Sequence, residues 1–119
     1  MRILVVDDSP TMRDITAAAL QAANHVVLRA DHGAEGLEVL EKEDVDLIIT
    51  DLNMYVMGGL EFVTRVRQMP NFEYTPILFL TTEGSDEFKA IGREAGATGW
   101  MVKPFDPTEL VRVVRQITQ

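Results

Sequence analysis

Four short apolar runs each stop abruptly at a residue that carries chemistry. Ile3-Leu4-Val5-Val6 stops at Asp7-Asp8, Leu47-Ile48-Ile49 at Thr50-Asp51, Ile77-Leu78-Phe79-Leu80 at Thr81-Thr82, and Trp100-Met101-Val102 at Lys103-Pro104. Runs this short cannot span a bilayer, and their lack of polar alternation means that neither face meets water. Strands buried on both faces belong to a parallel sheet covered by helices on its two sides. Val26-Val27-Leu28 supplies a weaker fifth run.

The intervening segments carry helical spacing and helix-start signals. Ser9-Pro10 pairs a capping hydroxyl with a proline at the first helical position, and Met12, Ile15 and Ala19 follow as an apolar stripe. Asp106-Pro107-Thr108-Glu109 repeats the device ahead of Leu110, Val114 and Ile117. Helices are also expected over 34–42, 60–68 and 85–94, the last being the loosest because Gly84, Gly92 and Gly96 lie in or beside it. Strand then helix, five times over with no long linker, gives a doubly wound α/β fold, read as one domain over residues 1–119 without an effector domain.

Composition narrows the function classes. The formal net charge of -8 leaves no general cationic field for a phosphate backbone, so direct nucleic-acid binding is not expected. The absence of cysteine excludes disulfides, thiolate metal sites and thiol catalysis. With no signal-peptide pattern and no apolar stretch long enough to span, a cytoplasmic protein without membrane insertion is the expectation. His25 and His32 fall around the second run, away from the strand-end residues, and receive no metal role.

In sheets of this kind ligands bind outside the carboxyl ends of the strands. Asp7, Asp8 and Asp51 would converge there, and like charges so close are unfavourable unless a cation or protons intervene. An oxygen-only donor set without His or Cys selects magnesium, with Asp8 and Asp51 as direct ligands, Asp7 acting through water, and the Asn53 main-chain carbonyl as a third ligand. An isolated Asp-Asp pair would be read as an acidic helix start. A third acid, a hydroxyl and a lysine at neighbouring strand ends change that reading. Together they suit phosphoryl transfer, with Asp51 as nucleophile and acceptor, Thr81 donating to one phosphoryl oxygen and Lys103 pairing with another.

These motifs resemble the receiver domain of bacterial response regulators, most closely the stand-alone chemotaxis type. The resemblance covers essentially the whole chain and rests on Val5-Val6-Asp7-Asp8-Ser9, Asp51-Leu52-Asn53-Met54, Leu80-Thr81-Thr82-Glu83 and Lys103-Pro104-Phe105. It implies the strand order 2-1-3-4-5, a histidine kinase as phosphodonor, and catalysis by the domain of its own phosphorylation and dephosphorylation. It also implies a switch in which Thr81 moves inward and Trp100 follows, with Asn53 and Glu83 tuning the lifetime of the phosphoryl group. A cis Lys103-Pro104 peptide belongs to the same pattern. As partners it implies the flagellar motor switch and a phosphatase, with the chain acting as a monomer. The expected output face is the fourth helix, fifth strand and fifth helix, with Phe105 beside Trp100.

One stretch departs from the family. Met54-Tyr55-Val56-Met57-Gly58-Gly59 has Tyr55 where the family usually has proline, and a glycine pair, so a more mobile loop beside Asp51 is expected. Other functions compete for the same residues. A phosphorelay shuttle or phosphate sink would use the same pocket. A haloacid-dehalogenase-like phosphatase shares the chemistry but places its nucleophile after the first strand. A flavodoxin-like cofactor binder would need a phosphate-cradling glycine loop, and a phosphate-independent module would not need Asp8, Asp51, Thr81 and Lys103 together.

Overall fold

Alternate residues of each strand point to opposite faces of a sheet, so an unbroken apolar strand needs a cover on both sides. A computed structural model, which describes all residues from Met1 to Gln119, supplies both covers. In chain order the elements are β1 (Arg2–Val6), α1 (Pro10–Ala22), β2 (Val26–Ala30), α2 (Gly33–Lys42) and β3 (Leu47–Thr50). They continue with α3 (Gly59–Arg67), a single 3-10 turn (Pro70–Phe72), β4 (Ile77–Thr81), α4 (Asp86–Ala95), β5 (Gly99–Val102) and α5 (Pro107–Ile117). The five strands are parallel in the order β2-β1-β3-β4-β5, the order the resemblance implied. No helix is long and apolar enough to cross a membrane.

The alternation divides the core in two. Leu4, Val6, Ile48, Ile77 and Phe79 face α2 and α3, meeting Leu40, Phe62, Val63 and Val66. Ile3, Val5, Leu47, Ile49, Leu78 and Leu80 face α1 and α5, meeting Leu20, Leu110 and Val114. Burying a side chain of this size contributes about 1.5–3 kcal/mol, so the two layers dominate the stability of the fold.

Helix starts follow the capping residues. The Ser9 hydroxyl accepts the Met12 N–H, and the Asp106 carboxylate accepts that of Thr108, each ahead of a proline in the first turn. The apolar stripe expected on α1 is out of phase with the observed packing. Thr16, Ala17 and Leu20 face the sheet, while Ile15 is 47% exposed. Three consecutive alanines give that helix little hydrophobic contrast, and close packing on the sheet selects its small face. His32, given no metal role, caps α2. Its Nδ1 accepts the Glu35 N–H, while Glu35 Oε1 accepts the Asp31 N–H in return.

Thr16 leaves one stability cost in the core. It is fully buried, and its hydroxyl has no hydrogen-bond partner. Thr16→Val keeps the shape and removes the stranded polar group, so it should raise the unfolding free energy by about 1–2 kcal/mol. Urea denaturation would register this as a higher midpoint at unchanged slope.

His25, just before β2, gives a pH-dependent term. Its Nδ1 lies 3.2 Å from the Met1 ammonium. Burial, then the Met1 charge, then Arg115 push its pKa below the ordinary histidine value. The fold therefore favours the neutral ring. This contribution is complete above the unfolded-state value of about 6.5 and is lost as pH falls through the lowered folded value. Denaturation of wild type and His25→Gln between pH 7.5 and about 5 should show the wild type losing its advantage on acidification.

Candidate functional site

The strand ladders run past the last strand residues and fix the positions just beyond them. The Asp7 N–H donates to Ala30 O at 3.1 Å, the Asp51 N–H to Val6 O at 3.0 Å, and the Lys103 N–H to Thr81 O at 2.8 Å. Parallel register pairs Val6 with both Ala30 and Thr50, Thr50 with Phe79, and Thr81 with Val102, so all five strand ends lie along one edge. The residues picked out at those ends are thereby brought to one side of the sheet.

Asp7, Asp8 and Asp51 each present a carboxylate oxygen within 4.8 Å of the other two. Lys103 Nζ donates to Asp7 Oδ2 at 2.7 Å and to Asp51 Oδ2 at 3.0 Å. Burial is the largest single influence on this lysine and pulls its pKa down. The hydrogen bonds and charges of Asp7 and Asp51 together outweigh it and hold the ammonium above the ordinary lysine value. The other Asp7 oxygen, Oδ1, accepts the Ser9 N–H at 2.9 Å. Asp51 Oδ1 accepts the Leu52 N–H at 2.7 Å. The half-buried Asp8 carboxylate takes no hydrogen bond from the chain.

The charges in this cluster fall short of a cation. Three carboxylates against one ammonium give a formal surplus of two negative charges, and each like pair at this spacing costs roughly 3–4 kcal/mol at an effective dielectric of about 20. The donor chemistry therefore fits a hard divalent ion. All the donors are oxygens, Asp8 is uncommitted, and the acids cluster within reach of one ion. Asn53, exposed two residues beyond Asp51, has a main-chain carbonyl that accepts no backbone hydrogen bond.

Thr81 is fully buried at the end of β4, and its hydroxyl accepts the Glu83 N–H at 3.4 Å, a long bond. Glu83 links to the next strand, because its carbonyl accepts the Trp100 Nε1–H at 2.7 Å. Trp100 is half-buried, with its indole 5.0 Å from the Phe79 ring centroid and tilted by 43°. The Lys103-Pro104 peptide is cis.

Two positions near the site carry more than the sequence conveyed. Arg13 on α1 donates to the Asp7 carbonyl at 2.6 Å and pairs with Asp31 at 2.9 Å, bracing the acidic turn from the helix side. Gly59 allows a close approach: a Cβ there would fall 2.2 Å from the Asp51 carbonyl. Neither Gly58 nor Gly59 needs a left-handed backbone. Val56 adopts one instead, at φ 67, where the Met57 N–H closes onto Tyr55 O at 2.7 Å. Tyr55 and Val56 are both about 80% exposed (79% and 80%), and a left-handed β-branched residue is a strained feature that its identity gives no hint of.

A doubly wound sheet of this order, with an acidic triad and a lysine at its carboxyl edge, defines a receiver-type α/β domain. Comparison with known proteins agrees: the chain matches the response regulator receiver domain over residues 3–115 and belongs to that family. It is 46% identical over 112 residues to a chemotaxis protein CheY homolog of Campylobacter jejuni, covering 92% of this chain and 86% of that one. Among solved structures it is similar to Vibrio cholerae chemotaxis protein CheY4, at TM-score 0.95 and 45% identity over 98% of this chain and 97% of the other. The receiver domain of a Pseudomonas aeruginosa sensor histidine kinase, solved with a magnesium ion coordinated in its active-site cleft, superposes at TM-score 0.91. It is 25% identical, with 98% and 96% of the two chains covered. The chain is thus a receiver of the CheY-like type, a signalling domain in place of a classical enzyme.

Proposed function

We propose that this receiver is a phosphorylation-driven switch in which Asp51 accepts a phosphoryl group from a histidine kinase. The observation that carries the reading is the Lys103 ammonium bridging Asp7 and Asp51, with an Asp8 oxygen close by. An Asp51 carboxylate oxygen attacks phosphorus in line, the P–N bond to the donor imidazole breaks, and its electron pair leaves with the imidazole. The product is an acyl phosphate on Asp51. Lys103, already within 3.0 Å of Asp51, is placed to hold one phosphoryl oxygen, and Thr81 at the next strand end supplies a hydroxyl to another.

Asp8, Asp51 and the Asn53 carbonyl would hold magnesium directly, with Asp7, the most buried of the three acids, acting through water. When bound, the ion neutralises surplus charge on the acids and on the moving phosphoryl group. Asn53 and Glu83 flank the path of a hydrolytic water and tune the lifetime of the acyl phosphate.

Thr81 and Trp100 relay the event to the α4-β5-α5 face, where Phe88, Ile91 and Val102 are exposed. Lys89 and Arg93 on the same helix have no acidic partner, which suits an acidic output segment. The chemotaxis proteins among its relatives favour output at a flagellar motor switch, from a monomer in the cytoplasm, with a phosphatase to end the signal. A phosphorelay or phosphate-sink role would use the same pocket without the motor partner. Addition of magnesium with beryllofluoride should shift the emission of Trp100, the only tryptophan. An unchanged spectrum at saturating ligand would count against the relay.

A further inference from the structure

Glycine is, after proline, the least favourable residue inside a helix, so a buried one needs a reason. Gly92 lies within α4 and is the only fully buried residue of that helix. A Cβ built on it would fall 2.7 Å from Trp100 Cζ3, 3.2 Å from Trp100 Cε3 and 3.3 Å from Phe79 Cε2. The indole therefore occupies the volume that any side chain at this position would need. Cζ3 and Cε3 belong to the six-membered half of the indole, a ring system larger than a phenol. Gly92 and Trp100 thus match as a notch and the ring that fills it.

Two further contacts hold the ring in this notch. Phe79 packs on it from β4, and the Glu83 carbonyl takes its Nε1–H at 2.7 Å. Glu83 is in turn tied to the Thr81 hydroxyl through its own N–H. A continuous path runs from the strand end beside the acidic cluster, through the Glu83 backbone and the indole, to the middle of α4. Ile91, adjacent to Gly92, and Phe88, one turn earlier, are the exposed apolar residues of that helix.

We infer that Gly92 is a positioning residue: it provides the seat for the inward indole and so sets how Trp100 divides between the seated state and one turned out to solvent. The inference rests on the switch reading for its purpose, but the seat itself is a property of the unphosphorylated protein. Gly92→Ala improves helix propensity and closes the notch. The ring must then move, because its Cζ3 lies 2.7 Å from the added Cβ and the end of a side chain gives way more readily than packed backbone.

The test begins without magnesium or phosphodonor. Gly92→Ala should red-shift the Trp100 emission, raise its quenching by acrylamide and abolish the protection of the indole N–H from hydrogen exchange. Trp100→Tyr should rescue the alanine: the fall in urea midpoint caused by Gly92→Ala should shrink or reverse in the tyrosine background. If emission, quenching and indole protection are unchanged in Gly92→Ala, there is no seat and the inference fails. Equal losses of midpoint in both backgrounds would overturn it as well, and the double variant keeps this comparison open even if Gly92→Ala alone folds poorly. A second stage adds a small-molecule phosphodonor and magnesium. Gly92→Ala should still take up phosphoryl label while losing the phosphorylation-dependent change in Trp100 emission. Retention of that change at wild-type size would contradict the inference. Absence of label on the wild type would count against the phosphoacceptor reading and leave the first-stage results standing.

Discussion

Replacing Asp51 by asparagine is expected to abolish phosphoryl uptake completely while leaving the fold intact. The amide has no nucleophilic oxygen able to form a stable acyl phosphate, so the loss is one of chemistry and not of shape. Locally the substitution removes an acceptor: Asp51 now serves both the Leu52 N–H and Lys103 Nζ, and an amide oxygen can face only one of them. It also removes one of three clustered negative charges. These effects oppose each other, and the unfolding free energy should change by no more than about 1 kcal/mol. Magnesium affinity should fall by about tenfold or more, since a ligand and its charge leave together. Circular dichroism, urea denaturation and a magnesium titration on one preparation would separate the three consequences.

Lys103→Met should be the most destabilising single change at the site. The lysine side chain is 7% exposed, and those of its partners Asp7 and Asp51 are 5% and 14% exposed. Methionine keeps the apolar stem and deletes the ammonium, which strands two desolvated carboxylates beside a third. Breaking a buried pair in this way costs about 3–5 kcal/mol, and the partial access of solvent to Asp51 and Asp8 brings the expectation to about 2–4 kcal/mol without magnesium. Because the remaining cluster would carry three negative charges, added magnesium should bind it more tightly than wild type and recover part of the loss. Equal stability deficits with and without the ion would mean that the acids do not share one cation site.

The sequence disclosed the site more fully than it disclosed the loops around it. Strands covered on both faces must be unbroken apolar runs, so their ends were visible, and parallel ladders then oblige Asp7, Asp51, Thr81 and Lys103 to share an edge. The α5 stripe at Leu110 and Val114 was equally legible, because bulky residues alternate there with charge. On α1 the signal failed, since alanines contribute little to periodicity and the buried Thr16 resembles a surface residue. Gly58-Gly59 suggested freedom, but the need for glycine at position 59 comes from its approach to the Asp51 carbonyl. Such close approaches arise between segments distant in the fold, and one chain read in isolation does not reveal them. The same holds for Gly92, whose neighbour in space is Trp100.

The roles assigned to the cluster stand or fall with where the phosphoryl group goes. A kinase carrying radiolabel on its histidine, mixed with wild type and with Asp51→Asn in the presence of magnesium or of a chelator, tracks that group from donor to acceptor. Transfer to wild type is expected only when magnesium is present, with label on the peptide containing Asp51 and no other, and none on the variant. Label on Asp51→Asn, or transfer undiminished by the chelator, would contradict these roles.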